Sequence, residues 1–231
     1  MSAHVWQITL LVLLLVLAFD FAMAYKQRNV ETSLSTAVSW TLFYVAAAVV
    51  FGISLGQWSD TQSQNEFFAG WLTEYSLSFD NLFVFVLILA RLKVAKEKEQ
   101  LILLIGIAMA LVLRGGFIAL GSVIVSKFAW IFFFFGAFLI YTAYTLVKET
   151  EHEEWKEGKV ITFMRSKGAS TFTLALVAIA MTDVLFAFDS IPAIFGLTQE
   201  PYIIVTANIF ALMGLRQLYF LIGGLMKKLV Y

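Results

Sequence analysis

Apolar positions along this chain come in long unbroken runs, without the two-residue alternation of half-buried strands. Seven runs, near 5–25, 35–57, 67–90, 101–125, 128–147, 171–197 and 202–226, can each cross a hydrocarbon core of about 30 Å, which takes about 20 helical residues. The pattern predicts an all-α polytopic membrane protein with seven transmembrane helices in a single transmembrane domain over 1–231. The first run contains Ala22-Met23-Ala24, which imitates a signal-peptidase site. No positive charge precedes it and the run is too long for a signal core, so it reads as a retained helix. The one long polar stretch, 148–170, mixes five glutamates with lysine and arginine and reads as a solvated cytoplasmic linker.

Composition narrows the chemistry. With 61% hydrophobic and 14% charged residues, the chain is too apolar to cover itself with polar surface as a soluble domain must. It has no cysteine, which excludes disulfides, thiolate metal sites and cysteine nucleophiles and leaves the redox compartment open. Its two histidines, His4 and His152, lie outside the bilayer-crossing interior, so a zinc site of imidazoles and thiolates within the membrane is excluded. Basic residues cluster after the first, third, fifth and seventh runs, and only Lys127, Arg114 and Arg216 lie elsewhere. By the positive-inside rule the N-terminus is outside and the C-terminus cytoplasmic, as in a multi-pass protein of a bacterial inner membrane.

Against that background two acidic segments stand out. TEYSLSFDNLF (73–83) and TDVLFAFDSIP (182–192) share one grammar: Thr, an acid, then Phe-Asp, a small polar residue and an aliphatic one. They lie in the third and sixth runs and so cross in opposite directions. The match continues into the next helix of each copy, where GIAMALVLR ends at Arg114 and NIFALMGLR at Arg216. An inverted-topology repeat is predicted, the architecture in which secondary transporters place a site near the midplane. The first copy is followed by a third helix, 128–147, for which nothing after 226 offers a counterpart.

At 100° per residue, Glu74 and Asn81 share one stripe and Thr73 and Asp80 the next, with Ser76 close to the latter. The second copy pairs Asp183 with Ser190 and Thr182 with Asp189. Pro192 removes a helical hydrogen bond and is expected to free the carbonyl of Phe188 beside Asp189. Asp20, Glu74, Asp80, Asp183, Asp189, Arg114 and Arg216 would each cost about 3 kcal/mol facing lipid at the bilayer centre. They must pair, bind an ion or take up protons. Carboxylate, amide and hydroxyl oxygens suit Mn²⁺, Mg²⁺ or Ca²⁺ better than Zn²⁺ or Cu⁺. Glu74, Asp80, Asn81, Asp183 and Asp189 are therefore the candidate metal-handling residues, with Asp80 and Asp183 expected to approach one another. Glu74, Asp20, Arg114 and Arg216 are candidates for proton coupling or charge pairing, and Thr73, Ser76, Thr182, Ser190 and Asn208 for polar support. For Asp20, near the inner end of its helix, a purely structural pairing is an equal alternative. Gly115, Gly116 and Gly121 read as close helix contacts.

The quoted residues resemble the TerC family of integral membrane proteins, within the wider group that includes LysE-type exporters. EYSLSFDNLFVFVLI (74–88), FGAFLIYTAY (135–144), TDVLFAFDSIPAIFGLT (182–198) and NIFALMGLRQLYFLIGG (208–224) carry the likeness, together with Asp20. Such a resemblance implies manganese export or association with tellurite resistance, or, in plastids, thylakoid biogenesis, with the acids and Asn81 handling the metal. Relatives often have Ser where Ala207 stands, have a longer linker, and continue past the position of Tyr231 into one or two more helices.

The leading expectation is a divalent-cation exporter, for Mn²⁺ and proton-coupled, with the metal as cargo and no permanently bound cofactor. The alternative is a membrane-biogenesis or tellurite-resistance component without transport. An enzyme is not expected: the GxGD and PAL motifs of intramembrane aspartyl proteases are absent, and so is the mid-membrane lysine of a retinal protein. Expected partners are the lipid bilayer, the metal ion and other membrane chains, a second copy included, and no nucleic acid.

Overall fold

A computed structural model describes residues 3–26, 33–148, 158–215 and 217–222. Eight helices form among them, and no strand: α1 (Ala3–Lys26), α2 (Leu34–Trp58), α3 (Thr61–Arg91), α4 (Lys96–Lys127), α5 (Ile131–Lys148), α6 (Lys159–Ser166), α7 (Thr171–Leu197) and α8 (Pro201–Leu212). Six helical segments are long and apolar enough to span a bilayer, the last of them Pro201–Ile222. The seventh predicted crossing, in α5, has a shorter apolar stretch, Ile131–Thr145, which at 1.5 Å per residue reaches about 22 Å. A multi-pass, all-helical membrane protein is what the structure supports.

Helix starts follow local chemistry. Ser33, Asp60 and Ser170 accept hydrogen bonds from the amides of Thr36, Ser63 and Thr173, which satisfies otherwise orphaned first-turn donors. The Asp60 cap starts α3 six residues before the apolar run, so its first two turns, Thr61 to Glu66, are polar. A Gln62–Glu66 side-chain hydrogen bond of 2.8 Å staples that extension.

A break in the last span and a partly buried linker depart from the sequence reading. Helix α7 runs unbroken through Pro192. The interruption lies in the last span, where α8 stops at Leu212, Gly214 takes φ +85°, and helix resumes at Leu215. Glycine is favoured at that turn by the left-handed backbone, and a Tyr44 ring atom 3.1 Å from an added Cβ would make a side chain there a tight fit. The polar stretch after α5 is also not wholly solvated. Its helix α6 buries Ile161 against α7 beside Leu174 and Ala175.

The core is a bundle of α3, α4, α7 and α8, with α3 packed most closely on α8 and α4 on α7. Helix α2 lies against α3, and α5 against α7. Buried apolar residues form two clusters stacked along the bundle. One holds Phe67 and Trp71 of α3, Ile118 of α4, Ile194 and Phe195 of α7, and residues of α8 from Tyr202 to Ala211. The other holds Phe85 and Ile88 of α3, Ile102 and Ile107 of α4, Leu174 and Ile179 of α7, and Leu215. Between them the buried positions turn polar: Glu74, Ser78, Asn81, Arg114, Asp183 and Ser190. Gly121 is a close contact, since a Cβ there would sit 2.7 Å from the Phe195 ring. Gly115 and Gly116 are not, having nothing within 4 Å of an added Cβ.

Candidate functional site

At the polar waist, successive inward positions of α3 at helical spacing are Glu74, Ser78 and Asn81. Arg114 of α4 and Asp183 of α7 face them. Arg114 is 1% exposed, Glu74 1% and Asp183 3%, so three formal charges lie out of reach of solvent. The guanidinium bridges the two acids: Nη1 pairs with Glu74 Oε1, and Nη2 stands 3.6 Å from Asp183 Oδ1. Two carboxylates against one guanidinium leave the ionised cluster with one negative charge in excess. Burying such charges costs several kcal/mol per ion, and an apolar replacement of a whole buried pair is often neutral or stabilising. Stability alone is therefore a weak reason for this cluster.

A narrow cavity adjoins it, lined by Ser78, Asn81, Arg114, Asp183, Leu212 and Leu215 among others. Its interior volume is about 10 Å³, room for the centre of one water molecule. The break in the last span flanks this space, since Leu212 and Leu215 stand on either side of Gly214. Ser78 Oγ, Ser190 Oγ, Asp183 Oδ2 and Asn208 Nδ2 are buried and find no hydrogen-bond partner among the described residues. Of these residues Ser78 and Asp183 line the cavity, and their unmet polar atoms mark a place for a water, a proton or an ion.

The predicted site residues divide. Glu74, Asn81, Asp183, Ser190 and Asn208 are buried along the α3, α7 and α8 contacts. Asp80 is exposed on the outer face of α3, so it does not meet Asp183 as the sequence reading expected. Asp189 is half-buried on the corresponding side of α7. Thr73 and Thr182 are half-buried, and Thr182 returns its hydroxyl to the Ala178 carbonyl at 2.8 Å. Ser76 is exposed and likewise bonds the Leu72 carbonyl at 2.8 Å. Of the two adjacent polar stripes on each helix, the one through Glu74 or Asp183 turns inward. Asp20 belongs to a separate group: Tyr44 donates to its Oδ1 at 2.8 Å and Gln217 at 3.4 Å, which ties α1, α2 and the segment after the break. Arg216 lies outside the described residues. Among the described residues no three of Asp, Glu and His come together as a ready-made metal cage.

Sequence reasoning missed Ser78, whose signal was its place four residues beyond Glu74 and three before Asn81. It also missed the Thr198 hydroxyl donating to Glu66 Oε2, which pins the end of α7 to the start of α3. No local pattern announces a contact across 132 residues.

Comparison with known proteins agrees with this architecture. The chain matches the Integral membrane protein TerC family over residues 59–231. It belongs to that family. Among relatives, the "Uncharacterized membrane protein Rv2723" of Mycobacterium tuberculosis strain H37Rv is 38% identical over 100% of this chain and 64% of its own length. A Myxococcus xanthus membrane protein is 32% identical over 100% of this chain and 78% of its own. The Escherichia coli K12 protein Alx, whose name proposes a membrane-bound redox modulator, is 31% identical over 94% of this chain and 77% of its own. The chain thus spans 64% of the length of its mycobacterial relatives. No solved structure matches it.

Proposed function

We propose that this protein exports a divalent metal cation, Mn²⁺ foremost, in exchange for protons, from the cytoplasm of a bacterium across its inner membrane. It is a transporter in this reading, not an enzyme, with its N-terminus outside and its C-terminus in the cytoplasm. The observation that carries the reading is the buried Glu74–Arg114–Asp183 cluster beside oxygens that lack partners. Its ligands are all hard oxygens, as Mn²⁺ and Mg²⁺ prefer.

In this mechanism Arg114 is a tethered counter-ion. It occupies the carboxylates while no metal is bound and withdraws when one enters, so that Glu74, Asp183 and the amide oxygen of Asn81 can turn to the ion. Once the metal leaves, the carboxylates take a proton or recover the guanidinium. Metal and protons then exclude one another at one place, which is the basis of exchange.

An inverted repeat fits the same geometry. The Glu66–Thr198 hydrogen bond and the approach of Gly70 to Ile194 run α3 and α7 antiparallel in one register. Extending that register puts Glu74 level with Ser190, and Asn81 level with Asp183. The repeat equates Glu74 with Asp183 and Asn81 with Ser190, so a pseudo-two-fold axis would pass between the helices beside Ser78 and Ala187. The pairs α3 with α8 and α7 with α4 are then equivalent, and so are α2 with α3 and α5 with α7. On this reading the units are α2–α3–α4 and α5–α7–α8, and the counterpart of α5 is α2.

The deciding experiment is Mn²⁺ and proton flux in vesicles reconstituted with wild type, Glu74→Gln, Asp183→Asn and Asp80→Asn. Loss of both fluxes in the first two is expected. If both variants move Mn²⁺ like wild type, the exporter reading falls. The biogenesis or tellurite-resistance alternative then stands, because acids paired with Arg114 are also what a structural role would use. The redox role in the name of Alx extends to this chain only through its cargo, since without cysteine it has no thiol chemistry of its own.

A further inference from the structure

We infer that the basic end of the bundle carries a surface site, with Arg91, Lys93 and Arg165 all exposed, for a phosphate group, that of an anionic phospholipid headgroup. Three elements converge there on a cleft of about 390 Å³: the end of α3 with Arg91 and Lys93, the end of α6 with Arg165, and the start of α7 at Thr171. The floor is apolar, formed by Leu92 and Leu174, both buried. Three cations thus surround an opening at the N-terminus of a 27-residue helix, whose amide end also favours negative charge.

A comparison within the chain shows what the cleft asks of residue 93. Helices α3 and α6 both end in the same hydrogen-bonded turn. In α3 the amides of Lys93 and Val94 return to Ala90 and Leu89, at 3.1 Å each. In α6 those of Gly168 and Ala169 return to Arg165 and Met164, at 3.0 and 3.1 Å. The turn needs one residue in the left-handed region, normally glycine. Gly168 fills that place at φ +81°, whereas in α3 it is Lys93, at φ +51°. Lys93 is the one non-glycine residue with positive φ among those described. The lysine at that turn gives the cleft a cation that glycine, unstrained there, would not supply.

The surroundings choose between sources of phosphate. Helix α6 buries Ile161 and half-buries Met164 while leaving Val160 43% and Phe163 62% exposed. Basic side chains beside exposed apolar ones on a short helix at the end of a transmembrane bundle are the pattern of an interfacial helix. A lipid satisfies both, with its phosphate in the cleft and its acyl chains toward Val160 and Phe163. Free phosphate satisfies only the first.

The test is binding to the purified full chain in detergent, by native mass spectrometry, of phosphatidylglycerol, phosphatidylcholine and inorganic phosphate. Wild type should prefer phosphatidylglycerol to phosphatidylcholine. Each cation removed by Arg91→Gln, Lys93→Gly or Arg165→Gln should weaken phosphatidylglycerol about fivefold, and all three about a hundredfold. Lys93→Gly keeps the turn, so without lipid its melting temperature should equal or exceed that of wild type while its lipid binding falls. Inorganic phosphate should compete but bind more weakly than the lipid; binding as tight as the lipid's would overturn the lipid assignment. Equal binding of the two lipids, or retention of phosphatidylglycerol by the triple variant at wild-type strength, would overturn the site.

Discussion

If Arg114 is a stand-in for the cargo, replacing it by glutamine has two opposite effects. In the metal-free protein Arg114→Gln leaves Glu74 and Asp183 buried without their shared counter-ion, and removing one partner of a buried pair costs about 3–5 kcal/mol. With metal the sign reverses. At the 3.6 Å separating Arg114 from Asp183, two unit charges interact by about 5 kcal/mol at an effective dielectric near 20, so a divalent ion that close to a fixed guanidinium would be repelled by about twice that. Glutamine removes the repulsion and leaves two carboxylates facing a doubly charged ion, an electroneutral match. Thermal unfolding in detergent, with and without saturating Mn²⁺, reads both effects. Arg114→Gln should melt well below wild type in chelator, and Mn²⁺ should restore it by a larger shift than wild type shows, because ligand stabilisation grows with affinity. Arg114→Lys keeps the charge and should show no such gain. In vesicles Arg114→Gln should bind Mn²⁺ yet fail to turn over, having lost the group that ejects it. A Mn²⁺ shift in Arg114→Gln no greater than in wild type would refute the stand-in argument.

Three further outcomes are expected. Gly121→Ala should lower the melting temperature, because its Cβ would press into the Phe195 ring, whereas Gly116→Ala meets open space and should be neutral or gain up to about 1 kcal/mol from helix propensity. The Ser63 amide, followed by the hydroxyls of Ser59 and Ser63, holds the Asp60 carboxyl below the ordinary carboxylate range. Its capping contribution is therefore complete above about pH 4 and lost as pH falls through the lowered value, and Asp60→Asn, which still caps, should remove that acid-side dependence in a melting profile. In this cysteine-free background Ser166→Cys should be shielded from an impermeant thiol reagent added outside intact cells and Gln62→Cys labelled; the reverse pattern would invert the topology.

How far the sequence carried can be read from particular helices. Run 171–197 and α7 coincide because Ser170 caps one end and the apolar run stops at Leu197. Helix α3 was misjudged at its start because hydropathy measures apolar length, while the cap at Asp60 and the 2.8 Å Gln62–Glu66 bond extend a helix through polar residues. At the site, periodicity found both polar stripes but could not decide between Glu74–Asn81 and Thr73–Asp80. Adjacent stripes on one helix differ by about 100°, and only the position of Arg114 on another helix picks one. The break at Gly214 was hidden because hydropathy is blind to backbone sign, whereas Pro192 was conspicuous and yet left α7 intact.

That break has an electrostatic consequence. The 12 residues of α8 before it extend about 18 Å, little more than half a hydrocarbon thickness of about 30 Å, so α8 is too short to cross a bilayer before the break. The carbonyl end of a helix carries about half a negative charge. Here that end abuts the cavity that holds Arg114 and Asp183, through Leu212. The helix resumed at Leu215 presents its amide end to the same cavity, so the break sets two opposite fixed backbone dipoles beside the site, which no change of pH can titrate away. If the protein exchanges metal for protons as proposed, this break gives the site a fixed backbone potential that persists through every protonation state of its carboxylates.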